Sequence, residues 1–135
     1  MINFYKKYSL KWSDELGLSA GLTGCSVIFL TFLEKGVCKL VAAGTPEKLA
    51  APNISLSGEF TEAALDARKK NTPLKLQTKA LCSGCSECMI YPFEYKGVSY
   101  QLCACSGESI GKSAEKGLKL IEEWLKRDIE REISD

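Results

Sequence analysis

The sequence predicts an α+β domain built on an antiparallel sheet. Apolar runs rich in β-branched and aromatic residues come in pairs joined by short glycine-containing turns, Glu34-Lys35-Gly36 and Lys96-Gly97, which is the pattern of hairpins. Helical patterns open and close the chain, and a third lies between the paired runs. The order helix, strand, strand, helix, three strands, helix suits neighbouring strands that pair directly. At 135 residues, 45% hydrophobic and 26% charged, the chain has the size and composition of one globular domain rather than a disordered segment.

The elements follow in order. Residues 2 to 22 place Phe4, Tyr8, Trp12, Leu16, Leu18 and Leu22 at helical spacing, with Gly17 and Gly21 weakening the end and Gly24 closing it. Cys25 to Leu33 is a strand, and Val37 to Ala43 is its hairpin partner. Thr45-Pro46-Glu47 signals a helix start, cut short by Pro52. Ile54 to Ser57 reads as a loop or a short sixth strand. Gly58 to Asn71 is a helix with Phe60, Ala63, Ala64 and Ala67 on one side and Lys69-Lys70 at its dipole-favoured end. Thr72-Pro73 stops it, and Leu74 to Lys79 is a further strand. Ser113 to Ile133 carries the broadest apolar stripe, Leu118, Ile121, Trp124, Leu125, Ile129 and Ile133; its last two members are expected to reach beyond the domain toward a second copy.

The cysteines gather in one place. Cys82-Ser-Gly-Cys85-Ser-Glu-Cys88 precedes a strand from Met89 to Tyr95, and after Lys96-Gly97 a strand from Val98 to Leu102 ends in Cys103-Ala-Cys105. If Tyr95 and Val98 flank a two-residue turn, Cys88 lies opposite Cys105 and Ile90 opposite Cys103. Directly opposed residues share a face, as do residues two apart. Cys88, Cys103 and Cys105 then point one way. Met89, Tyr91, Phe93, Tyr95, Val98, Tyr100, Leu102 and Ala104 point the other way, onto a core. The cysteine side continues with Ile90, Pro92, Glu94, Ser99 and Gln101, too mixed for a packed interior, so a ligand site is expected there. Glu87, Glu94 and Glu108 are the nearby carboxylates and read as solvated.

Cysteines spaced by two residues suit zinc and iron–sulfur centres alike, because the intervening turn aims backbone amides at the sulfurs. A third cysteine at that spacing leans toward iron–sulfur. Cys82, Cys85, Cys103 and Cys105 are the expected ligands, with Cys88 competing for the fourth place. Free cysteines are often small buried hydrophobes, which accounts for Cys25 and Cys38 in apolar strands and poorly for five clustered thiols. A metal-free, disulfide-forming redox switch is the other alternative.

Composition excludes several chemistries. The chain contains no histidine, so histidine-dependent nucleophile pairs and two-histidine zinc sites are ruled out. A net charge of +1 gives no bulk attraction to nucleic acid or to an acidic membrane. No apolar run is long enough to span a bilayer and the N-terminus lacks a secretory pattern, so the expected location is cytoplasmic. Ser106 to Ser113 ends Gly-Lys-Ser like a phosphate loop, but Ser stands where that loop opens with Gly. The preferred reading is a helix start capped by Ser109 or Ser113, with at most a weak anion site.

Val27 to Leu30, Cys38 to Gly44, Ile54 to Gly58, Ala63-Ala64-Leu65 and Asn71 to Leu74, followed by two strands, Ser106-Gly107 and a long helix, resemble a GAF domain over nearly the whole chain. The resemblance rests on hydrophobic pattern and small-residue punctuation. It implies a GAF-like, profilin-like or PAS-related fold. Five to six antiparallel strands would carry the N- and C-terminal helices on one face and a ligand pocket on the other, with Ile90 and Gln101 lining it. It also implies a sensory module that dimerises through its terminal helices. The cysteine cluster is a departure from the family. The functional expectation is a single regulatory domain with a cysteine-ligated centre, iron–sulfur before zinc, signalling redox state to an output partner through the C-terminal helix. No nucleic-acid or membrane partner is expected. The alternatives are a thiol enzyme of the free methionine sulfoxide reductase type and a metal-free small-molecule-binding GAF domain.

Overall fold

The computed structural model describes residues 2–47, 54–56, 58–82 and 84–133. A 3₁₀ turn, Ile2–Tyr5, leads into α1, Lys6–Thr23. The hairpin β1, Val27–Glu34, and β2, Val37–Gly44, precedes α2, Gly58–Lys70. Then come β3, Leu74–Gln77, β4, Glu87–Tyr95, β5, Val98–Ser106, and α3, Lys112–Glu132. The sheet is antiparallel in the order β2-β1-β5-β4-β3, so the strand carrying Cys103 and Cys105 lies at its centre.

The hairpin register is as expected: Tyr95 faces Val98, Ile90 faces Cys103 and Cys88 faces Cys105. Lys96 and Gly97 both take positive φ, the requirement of the tight turn whose twist matches the strands. β1 adds Val27 opposite Cys105 and Phe29 opposite Cys103. A register shift between Leu30 and Thr31 puts Cys38, Leu40 and Ala43 of β2 on that same face.

α1 and α3 cover the other face. Trp12, Leu16, Leu118, Leu125 and Ile129 pack against Ile28, Leu30, Phe32, Tyr91, Tyr100 and Leu102. Burial of the aromatic and aliphatic side chains there dominates the stability of the fold. α1 runs through Gly17 and Gly21 to Thr23. A Cβ on Gly44 would come within 2.2 Å of the Gly17 backbone, so these glycines allow helix and strand to touch. Ile129 is fully buried within the chain and Ile133 packs against the same core, so neither reaches outward as expected; α1 covers that end of the helix. Trp12 Nε1 donates to Asp128 Oδ2 at 2.6 Å, and Arg131 closes on the other carboxylate oxygen.

Several boundaries move. β1 starts at Val27, because Gly24 caps α1 in the left-handed conformation and the Cys25 amide bonds the Ala20 carbonyl. β4 begins at Glu87 and β5 continues to Ser106, which brings Cys88, Cys103 and Cys105 into the ladder. β3 ends at Gln77, where the Thr78 amide turns to the Ser86 carbonyl. Ile54 makes an isolated antiparallel bridge to Cys82. Pro46 and Glu47 form a turn; the rest of the short helix expected there, to Pro52, lies outside the described residues, as does Ser57.

Candidate metal centre

The cysteine face is not the mixed surface expected from the hairpin alone. α2 lays Phe60, Ala63, Ala64 and Ala67 over it, and together with Val27, Phe29, Leu81 and Ile90 they form a second core around the sulfurs. The small alanine face lets the helix approach closely, and β1 supplies the apolar neighbours the hairpin lacks. The two residues expected to line a pocket, Ile90 and Gln101, are both fully buried. Gln101 accepts from Thr31 Oγ1 at 2.7 Å and donates toward Ser99.

All five clustered cysteines are buried and present as free thiols. The sulfurs of Cys82, Cys85 and Cys105 lie within 4.8 Å of one another. Cys82 and Cys85 Sγ stand 2.7 Å apart, longer than the roughly 2.05 Å of a disulfide. Cys105 is the hub, hydrogen-bonded to Cys82, Cys85 and Cys88. Cys103 touches the group through Cys88, and its other hydrogen bonds are to Thr31 and to the Gln101 carbonyl at 3.8 Å. The structure thus groups Cys82, Cys85 and Cys105, links Cys88 to them, and sets Cys103 one step inward. Cys38 belongs to the same apolar layer near Gln101 and Cys25 to the opposite core, as expected.

The thiols divide by charge preference. Hydrogen bonds from Cys105 and then Cys82 hold the Cys85 thiol down at about 6, against the opposing effect of burial. Hydrogen bonds from Cys103 and Cys105 bring Cys88 to about 5. The donors pay the opposite cost: bonding to Cys82, Cys85 and Cys88 pushes Cys105 up, and burial followed by the bond to Cys88 pushes Cys103 up. A buried group of thiols that shares its protons in this way is poised to exchange them for a cation.

Backbone contacts hold the loop over the hairpin. The Cys85 amide bonds the Cys82 carbonyl at 3.3 Å, and Gly84 takes a φ of +80°. The Ser86 amide donates to the Ser106 carbonyl at 2.9 Å, and the Ser86 hydroxyl donates to the Gly107 carbonyl at 3.0 Å. A Cβ on Gly107 would lie 2.7 Å from the Gly84 carbonyl oxygen, so the loop reaches the sulfurs only because residue 107 has no side chain. In the sequence Ser106-Gly107 reads as punctuation, and the contact with Gly84 exists only once the loop is folded over the hairpin.

Glu87 is buried rather than solvated: its Oε2 accepts from the Ile110 amide at 2.6 Å, with Lys75 at 3.9 Å. A carboxylate of the chain itself therefore fills the anion position before α3. Gly111, not Ser109 or Ser113, is the residue that caps α3. Glu94 and Glu108 are exposed, and Glu94 pairs with Arg68. A cleft of about 910 Å³ opens ahead of the start of β3, lined by Arg68, Lys69, Phe93, Lys119 and Lys126 among others, away from the sulfurs.

No family model and no curated protein matches the sequence. Solved structures do match. A red/green cyanobacteriochrome in its red-light-absorbing state is similar over 90% of this chain and 92% of its own, with a TM-score of 0.68 at 10% identity. The phycocyanobilin-bound GAF domain of a cyanobacterial phytochrome is similar over 88% and 82%, with a TM-score of 0.61 at 11% identity. The chain has the GAF fold. A type II free methionine-R-sulfoxide reductase from Thermoplasma acidophilum is similar over 89% and 88%, with a TM-score of 0.60 at 14% identity. At these identities the likeness is one of fold, and function rests on the site. In this chain the candidate site is the sulfur cluster under α2, and no helix among the described residues is long and apolar enough to cross a membrane.

Proposed function

We propose that this GAF domain is a regulatory or sensory module whose sulfur cluster holds a metal ion through Cys82, Cys85, Cys88 and Cys105. The observation that carries the reading is the convergence of a loop and a hairpin. Three sulfurs lie within 4.8 Å of one another, and Cys88 is the direct cross-strand partner of Cys105 among them. A tetrahedral zinc site with bonds of about 2.3 Å sets its sulfurs roughly 3.8 Å apart. An iron–sulfur cluster spreads its thiolates over several irons and needs a wider set. The compactness of Cys82, Cys85 and Cys105 supports a single zinc ion ahead of the cluster favoured by spacing alone, with Cys88 supplied from the facing strand. With thiolates as the only ligands, the four positions are closed, as in sites that organise a fold or report on zinc supply.

The test is anaerobic purification with metal analysis. About one equivalent of zinc in colourless protein, lost together with fold stability on chelation, is expected. Brown protein absorbing near ~400 nm would install a cluster instead, and metal-free protein with every thiol titratable would overturn the centre altogether. The fold shared with the free methionine-R-sulfoxide reductase favours a second reading, a thiol enzyme; metal-free protein that reduces free methionine sulfoxide would establish it. Binding of an organic ligand by metal-free protein, without turnover, would favour the small-molecule-binding reading.

The signalling arrangement belongs to the same proposal. Leu18 of α1 and Leu120 of α3 are 62% and 66% exposed and line a groove with Ile121 and Trp124. A homodimer through these helices would cover them and pass the state of the centre to an output protein. Sedimentation of the wild type and of Leu120→Glu tests it, and a monomeric wild type would remove it. A centre that depends on reduced thiols works in a reducing compartment, which supports a cytoplasmic location.

A further inference from the structure

We propose that peroxide switches the centre by converting its four ligands into two local disulfides, Cys82–Cys85 and Cys88–Cys105, which releases the ion and unlinks the loop from the sheet. The inference rests on the metal reading above and adds how that site is regulated. Two pieces of geometry carry it. Cys82 and Cys85 already face each other across one turn, their sulfurs 2.7 Å apart. Cys88 and Cys105 are direct cross-strand partners, and the Cys105 carbonyl bonds Ser26 on the β1 side rather than Cys88. They are therefore a non-hydrogen-bonded pair. Such pairs have Cα atoms about 4.5 Å apart, inside the range a disulfide spans. Cys103 is diagonal to Cys88, opposite Ile90, and is left out.

The consequence is topological. The ion ties the loop ligands, Cys82 and Cys85, to the hairpin ligands, Cys88 and Cys105. Each disulfide instead joins residues within one of those segments. Oxidation thus exchanges a link between segments for two links inside them, and leaves the loop held to the hairpin by the Ser86 bonds to Ser106 and Gly107. Cys82 also bridges Ile54, and Ser55 bonds Leu81, so freeing the loop loosens the segment ahead of α2.

The chemistry balances with hydrogen peroxide as oxidant. A loop thiolate attacks one peroxide oxygen, the O–O bond breaks, and a sulfenic acid and hydroxide form. The second thiolate attacks the sulfenic sulfur, the S–S bond forms, the S–O bond breaks and a second hydroxide leaves. Each pair gives two electrons to one peroxide, and two protons convert the hydroxides to water. Both pairs together consume two peroxides and four protons and set the zinc dication free. The loop cysteines react first, since Cys82 and Cys85 are 7% and 5% exposed whereas Cys105 is fully enclosed.

The test treats the full chain, with its zinc content measured beforehand, with graded hydrogen peroxide. Released zinc is read by a chromogenic chelator and disulfides by peptide mapping without reduction. Amide exchange at Thr78, Cys85 and Ser86 reports the loop. Expected are about two peroxides per zinc released, the two named disulfides, and exchange at those amides faster by about tenfold or more. The Cys103→Ser variant, which keeps a hydrogen-bond donor toward Cys88, should form the same two disulfides and release its zinc. A Cys88–Cys103 or Cys103–Cys105 link, sulfinic acids without disulfides, zinc retained through a tenfold excess of peroxide, or release abolished in Cys103→Ser would each overturn the switch. Protein that never bound zinc would refute the metal reading separately, and the disulfide map on that protein still judges the pairing.

Discussion

The two faces of the sheet are filled by opposite means. Beneath α1 and α3 the space is taken up by large rings, Tyr5, Trp12, Phe32, Phe93 and Tyr100 among them, with Tyr8 stacked on Trp12 and Phe93 on Tyr100. Beneath α2 the aromatic content is one tilted pair, Phe29 and Phe60, and the remainder is largely cysteine, alanine and short aliphatics. The first face is a hydrophobic core that needs no help. The second buries less apolar volume and surrounds polarizable sulfur, so it gains most from a ligand that ties its thiols together. The difference separates what holds the fold from what the fold holds.

Breaking the first face should have the largest effect. Trp12→Ala removes a fully buried ring and leaves the Asp128 carboxylate without its indole donor. A loss of about 3–5 kcal/mol in denaturant unfolding is expected, equal with and without metal. Equal loss is the point of the comparison; a cost that vanished on chelation would mean the two faces are not independent.

The second face should respond to metal removal. If free zinc stands about 100-fold above its dissociation constant, binding contributes about 2.7 kcal/mol. Chelation should lower the unfolding midpoint of the wild type accordingly, and should leave that of Cys105→Ser, which lacks the hub thiol, unchanged. A smaller effect is expected for Gly107→Ala. The added methyl meets the Gly84 carbonyl and displaces the loop, at about 1–3 kcal/mol of strain and roughly 10–100-fold in metal affinity. Equilibrium competition with a chelator of known affinity measures it.

Alkaline pH gives the mildest contrast. Burial raises Tyr91 to about 12 on the first face and Cys38 to about 11 on the second. Both groups are folded in their protonated forms and ionise more easily when unfolded. Their contribution is therefore whole below the ordinary values of 9.0 for cysteine and 10.0 for tyrosine, and is lost as pH rises through the raised ones. Unfolding midpoints should fall from about pH 9 upward, with Cys38→Ala flattening the part from about pH 9 to about 11 and Tyr91→Phe the part from about pH 10 to about 12.

The sequence alone determined much of this protein, wherever local chemistry decides. Lys96-Gly97 set the hairpin turn, the turn set the register, and the register put Cys88 opposite Cys105 and sent the aromatic residues to the other side. The amphipathic stripe of the last helix and the alanine face of α2 were legible for the same reason: side-chain direction follows from backbone period. Only the tertiary structure decided what lies over the sulfurs. Closing that face required β1 beside β5, the bulge that turns Cys38 inward, and α2 crossing above. Contacts between residues far apart in the chain decide these features, and no local spacing encodes them. The choice of Cys88 over Cys103 as neighbour of the triad, the burial of Glu87 against Ile110, and the close approach of Gly84 to Gly107 belong to the same class. Each depends on where a distant backbone comes to rest, and that is fixed only when both faces are packed at once.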